Sequence, residues 1–135
     1  MRLFLDANIL FSAAWDDAAA AGLLWELASA GHCELLSSRL AIEEARRNIA
    51  SKRPERMTEL ESLIGRVLIG REPGKASLSA AGQFGLPGKD VPILAAAIAQ
   101  AADILVTGDR SAGRRNPRFV LARRSRSGAK GHLID

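Results

Sequence analysis

The sequence predicts a parallel α/β sandwich with right-handed crossovers, and three observations predict it. Leu3–Leu5 and Ile104–Val106 are short, unbroken apolar runs, the pattern of strands covered on both faces. Strand-like and helix-like segments alternate along the chain. The first run stops at Asp6 and the second is ended by Thr107, Gly108 and Asp109, so each strand delivers an acid at its carboxyl end, where open α/β sheets hold their ligands.

In chain order, Leu3, Phe4 and Leu5 form the first strand and Ala7 to Leu10 lead into a helix. Asp16 and Asp17 are expected to start a second helix through Leu23, Leu24 and Leu27, closed by Gly31 as the residue just past its end. Cys33 to Leu36 make a short strand, and Ser37 or Ser38 caps a helix over Arg39 to Lys52. After Pro54, the stripe Met57, Leu60, Leu63, Ile64 and Val67 marks another helix. From Gly70 to Lys89, five glycines and two prolines predict turns and loop with at most a helical turn. Asp90 is placed to cap a helix that has Pro92 in its first turn and Leu94, Ala95, Ile98 and Ala102 at helical spacing. The strand Ile104–Val106 follows, ended by Thr107, Gly108 and Asp109. Phe119 to Ala122 are expected to make the last strand.

At 135 residues the chain suits one domain, read as residues 1–122, with 123–135 as a basic C-terminal tail. No apolar run reaches the roughly 18 residues of a membrane span, and the N-terminus lacks the parts of a signal peptide, so a cytoplasmic protein is expected. Cys33 is the only cysteine, which excludes an internal disulfide, and with two histidines a structural zinc cluster is not expected. The charge is uneven. Residues 110–135 carry eight basic groups and one acid, while residues 1–109 carry 11 basic and 14 acidic groups. Such a tail can steer a polyanion toward an acidic site, and Arg110, Arg114 and Arg115 are its candidate nucleic-acid contacts; a solvated tail serving solubility is the plainer reading.

Four acids are candidates for chemistry. Asp6 and Asp109 would converge if their strands are neighbours. Asp90 lies at the mouth of the same edge, although helix capping alone accounts for it. Asp103 begins its strand at the opposite edge and is read as structural. On the Arg39–Lys52 helix, Ala41, Ile42, Ala45 and Ile49 define the buried direction, from which Glu44 lies roughly 110° and Glu43 roughly 150° at about 100° per residue. Glu43 therefore faces solvent with Arg47 four residues on as its partner, and Glu44 is the better placed to lean over a cleft. Four carboxylates in one cleft require a cation, and oxygen ligands suit Mg²⁺ or Mn²⁺, one ion or two. Such an ion supports hydrolysis of a phosphodiester without a covalent nucleophile.

These residues resemble the PIN domain, the metal-dependent ribonuclease family that includes VapC-like toxins. The resemblance runs from LFLDANIL through LAIEEARRN to KDVPILAAAIAQAADILVTGD. It implies a small α/β/α sandwich around a parallel sheet of four or five strands, often dimeric. It also implies that Asp6, Glu44, Asp90 and Asp109 bind Mg²⁺ or Mn²⁺ and activate water to cleave RNA. Asn8 would help orient Asp6, and Thr107 would hydrogen-bond near the metal. A toxin role with an antitoxin protein as partner, and a homodimer, are expectations of the same kind. A haloacid-dehalogenase-type phosphatase would need an aspartate where Asn8 stands, and a receiver domain would need paired acids at the end of strand one. The alternative from another class is a catalytically silent PIN-like module that binds RNA or protein.

Overall fold

The computed structural model describes residues 1–83, 88, 91–109, 116–121 and 133–134. Among the described residues six strands, β1 (Arg2–Leu5), β2 (Glu34–Ser38), β3 (Leu68–Gly70), β4 (Ile104–Asp109), β5 (Asn116–Leu121) and β6 (Leu133–Ile134), form one sheet of order β3-β2-β1-β4-β5-β6. The first four in that order run parallel, and β5 and β6 extend the sheet antiparallel. The parallel part matches the expected sheet. The predicted last strand begins earlier, at Asn116, and Leu133–Ile134, within the stretch read as a tail, pair with it.

Helices cover both faces. α1 (Ala7–Trp15), α2 (Leu23–Ser29), α3 (Arg39–Lys52) and α4 (Met57–Ile64) share one core with Leu3, Leu5, Leu35 and Val106. α5 (Lys75–Gly82) and α6 (Val91–Ala99) share the other with Phe4, Leu36 and Leu105. The alternation of side chains along a strand sends Leu3 and Leu5 into the first core and Phe4 into the second, which is why the run is apolar without a break. Phe4 and Leu5 are completely buried. Among the described residues no helix is long and apolar enough to cross a membrane.

Several boundaries differ from the sequence expectation. Asp16 does not start a helix: its carboxylate accepts the Ala18 amide at 2.9 Å in a turn, and the chain reaches α2 through a short 3₁₀ stretch, Ala20–Gly22. Gly31, at φ 86°, does close that helix. Pro54–Arg56 form a 3₁₀ turn before α4, and Val67, though buried, lies beyond it. The glycine-rich segment contains a whole helix, α5, and β3 is a strand that the sequence pattern does not predict. β4 runs on through Thr107 to Asp109 instead of stopping at Val106.

Candidate functional site

β1 lies inside the sheet between β2 and β4, with Leu5 opposite Val106. The Asp6 amide continues that ladder onto the Val106 carbonyl at 3.0 Å, so Asp6 leaves the sheet beside Thr107. Asp6 is also the N-cap of α1: its backbone is extended, its carbonyl accepts the Ile9 and Leu10 amides at 3.1 and 3.3 Å, and its Oδ1 accepts the Ala7 amide at 2.7 Å. Its other oxygen, Oδ2, accepts the Thr107 hydroxyl at 2.9 Å. Strand end, helix start and neighbouring strand together fix one partly buried carboxylate.

Asn8 reaches the neighbouring strand. Its Oδ1 accepts the Gly108 amide at 2.8 Å, tying the first turn of α1 to the last residues of β4. Gly108 is confined by the same side chain, since a Cβ there would stand 3.0 Å from Asn8 Cγ and Nδ2. The polar residues thus hold the edge by two cross-links, Thr107 to Asp6 and Asn8 to Gly108. Asp109 closes β4 one residue beyond; its side chain lies outside the described residues.

β2 ends on two buried serines. The Ser37 hydroxyl donates to the Leu5 carbonyl at 2.8 Å, and Ser38 Oγ accepts the Ala41 amide at 3.1 Å as the N-cap of α3. α3 therefore starts at the edge that carries Asp6. Its buried side is Ala41, Ile42, Ala45 and Ile49, as the spacing requires. Glu43 and Glu44 are both exposed. Glu43 pairs with Arg39 at 3.5 Å, one turn back, in place of the expected Arg47. Glu44 makes no hydrogen bond or ion pair with a described residue. The helix is braced further along by Arg46, whose Nε donates to both Glu61 oxygens at 3.1 and 3.0 Å. Its hydrogen bonds to the Glu61 carboxylate hold the Arg46 guanidinium above its ordinary pKa.

Asp103 proves structural, as its place at the opposite edge predicted: its Oδ2 accepts the Arg2 amide at 2.8 Å. Asp90, Arg110, Arg114 and Arg115 lie outside the described residues. Asp90 immediately precedes α6, which begins at Val91. Among the described residues no group of three or more His, Cys, Asp or Glu could hold a metal ion; of the four proposed acids, only the carboxylates of Asp6 and Glu44 are described. Both are hard oxygen donors of the kind Mg²⁺ and Mn²⁺ take.

The described geometry is thus a set of polar contacts at the carboxyl edge of a parallel sheet, centred on an oriented aspartate. Comparison with known proteins agrees with that architecture. The chain is similar in fold to a chain in the crystal structure of VapBC2 from Rickettsia felis bound to a DNA fragment from their promoter, with 20% identity, a TM-score of 0.60, and 81% of this chain and 89% of that one covered. No curated protein matches the sequence. The family model described as PIN domain matches residues 2–111. The chain belongs to the PIN-domain family.

Proposed function

We propose that this protein is a metal-dependent endoribonuclease that hydrolyses phosphodiester bonds, with Asp6, Glu44, Asp90 and Asp109 as the acids around Mg²⁺ or Mn²⁺. The observation that carries the reading is the fixing of Asp6 by the Thr107 hydroxyl and the Ala7 amide beside the strand that closes on Asp109. An ionised carboxylate has roughly four acceptor sites, so orientation by the Ala7 amide and the Thr107 hydroxyl is compatible with metal ligation. Glu44, exposed and uncommitted to any described partner, supplies a second donor from α3. A bound divalent ion lowers the pKa of water and offsets the charge that develops on the phosphate.

The chain's own work is positional. Thr107 holds Asp6 against rotation, Asn8 holds the end of β4 against α1, and Ser38 starts α3 at the same edge. Arg110, Arg114 and Arg115 follow Asp109 in sequence and are the proposed contacts to the RNA backbone. The PIN-domain family, together with a structural neighbour that is a VapBC complex, supports a toxin whose partner is an antitoxin protein; a cytoplasmic setting and a homodimer are part of the same proposal.

Cleavage of a mixed set of labelled RNAs with Mn²⁺, Mg²⁺ or EDTA, alongside Asp6→Asn, tests the activity. Asparagine caps helices as well as aspartate does, so this variant removes charge while leaving the start of α1 intact. Metal-dependent cleavage that disappears in Asp6→Asn is expected. Wild-type protein that binds RNA equally with and without metal, and cuts none, would replace this reading with the silent binding module.

A further inference from the structure

Parallel strands leave a sheet at the same edge, so the residues that follow them are lined up by strand order. Across the edge that carries Asp6, the order β3-β2-β1-β4 brings together residues that are far apart in sequence. Arg71 follows β3, Arg39 follows β2, Asp6 follows β1, and Asp109 closes β4. The register pairs Ser38 with Gly70, making Arg39 and Arg71 the first residues beyond one rung of the ladder. At about 4.8 Å between neighbouring strands, the row from Arg71 through Arg39 to Asp6 spans roughly 10 Å.

Both arginines are exposed. Arg71 makes no hydrogen bond or ion pair with a described residue. Arg39 meets Glu43 at 3.5 Å, with the two side chains 79% and 54% exposed, a loose surface pair that a phosphate can displace. Glu72, also exposed, is the other acid near the row in sequence. The opposite edge is different: there the Arg2 guanidinium is engaged by Glu34 at 2.8 Å and by the Gln100 carbonyl at 3.0 Å. Arginines open to an anion therefore stand on the edge that holds the oriented aspartate.

We propose that Arg39 and Arg71 form a phosphate-binding row on the β2–β3 side of this edge, which holds the backbone of an RNA strand whose scissile phosphate lies at Asp6. The proposal rests on the nuclease reading and gives the substrate a path across the sheet edge, on the side of β1 away from β4. Backbone contacts position the strand without reading its sequence, so the row acts alike on RNAs of different sequence.

The test is anisotropy of a fluorescein-labelled, mixed-sequence single-stranded oligoribonucleotide with the full chain in EDTA, titrated with salt. Each phosphate contact contributes about 0.7 to the slope of log K against log salt for single strands. Arg39→Gln and Arg71→Gln should each lower the slope by about 0.7, and the double variant by about 1.4, with Arg→Lys at either position restoring most of it. Arg66→Gln removes the same charge ahead of β3, at the opposite edge, and should leave the slope unchanged. A loss with Arg66→Gln equal to that with Arg71→Gln would reduce the effect to net charge and overturn the row. RNA binding and metal-dependent cleavage with slopes indifferent to Arg39 and Arg71 would overturn the row and leave the nuclease standing. Wild-type protein that neither binds nor cuts RNA would overturn both.

Discussion

Replacing Thr107 with valine keeps the β-branched shape that suits β4 and deletes the hydroxyl that donates to Asp6 Oδ2 at 2.9 Å. A hydrogen bond to a charged group contributes about 1.5–3 kcal/mol, which corresponds to roughly ten- to a hundredfold in an equilibrium constant. Loss of a group that orients a metal ligand falls in the same range, about 10–100-fold in affinity. Two features of the site place the expected effect at the low end. Asp6 keeps the Ala7 amide at 2.7 Å, and Thr107 is only half-buried, so water can replace part of what the hydroxyl supplied. Mn²⁺ affinity about tenfold weaker is therefore expected in Thr107→Val, with Thr107→Ser close to wild type. Calorimetric titration of Mn²⁺ into the wild type and both variants measures this without knowledge of the RNA target, and urea unfolding checks that each is folded. Wild-type Mn²⁺ affinity in a folded Thr107→Val would refute the argument that this hydroxyl orients a metal-binding carboxylate.

Gly70→Ala should destabilise the protein, because the new Cβ would stand 2.2 Å from Gln100 Cδ and 2.3 Å from its Cγ. Gln100 must then leave the Ser37 carbonyl, to which its Nε2 donates at 2.7 Å, and urea denaturation should register about 1 kcal/mol or more for the lost bond. Asn8→Ala removes the acceptor of the Gly108 amide and should cost about 0.5–1.5 kcal/mol. Gly108→Ala crowds the same side chain, so a double-mutant cycle of unfolding energies should show it less harmful in the Asn8→Ala background; strict additivity would count against the clamp. Ala101, at φ 55°, occupies the left-handed position that ends α6, with its amide on the Ile98 carbonyl and the Ala102 amide on the Ala97 carbonyl. Glycine suits that position, and Ala101→Gly should raise the urea midpoint, by up to about 1 kcal/mol of stability after the greater freedom of the unfolded chain is deducted.

Elements were legible in the sequence where burial dictated the pattern. β1 and β4 are covered on both faces, so their apolar runs are continuous, and α3 carries its buried residues at helical spacing behind a serine cap. α5 was hidden by averaging: within Gly70–Lys89 the described glycines fall around the helix, with Gly74 as its N-cap and Gly82 as its last residue, while Lys75 to Ala81 contains good helix formers. β3 has only three residues, and Leu68 and Ile69 are 56% and 55% exposed, so neither alternation nor full burial marked it. Asp16 and Asp17 suggested a helix start because aspartate favours caps and turns for the same reason, its side chain competing for nearby amides; here the turn prevails.

The two cross-links of the edge join residues 101 and 100 positions apart, and their partners could not be read from the sequence. Proximity along the chain suggests that Asn8 serves Asp6, while the contact it makes is with the neighbouring strand, at the Gly108 amide. Asp6 is the N-cap, with extended backbone, and Asn8 lies two residues on in the first turn, which swings its side chain away toward β4. Thr107, on the neighbouring strand and in register just beyond Val106, is the residue that reaches the carboxylate. Asp-Ala-Asn is thus a junction before it is a motif. Its first residue starts α1 and presents an acid at the sheet edge, and its third secures the adjacent strand end. The acid needed for the proposed chemistry is therefore held by the same bonds that turn β1 into α1, so its orientation is as stable as the start of that helix.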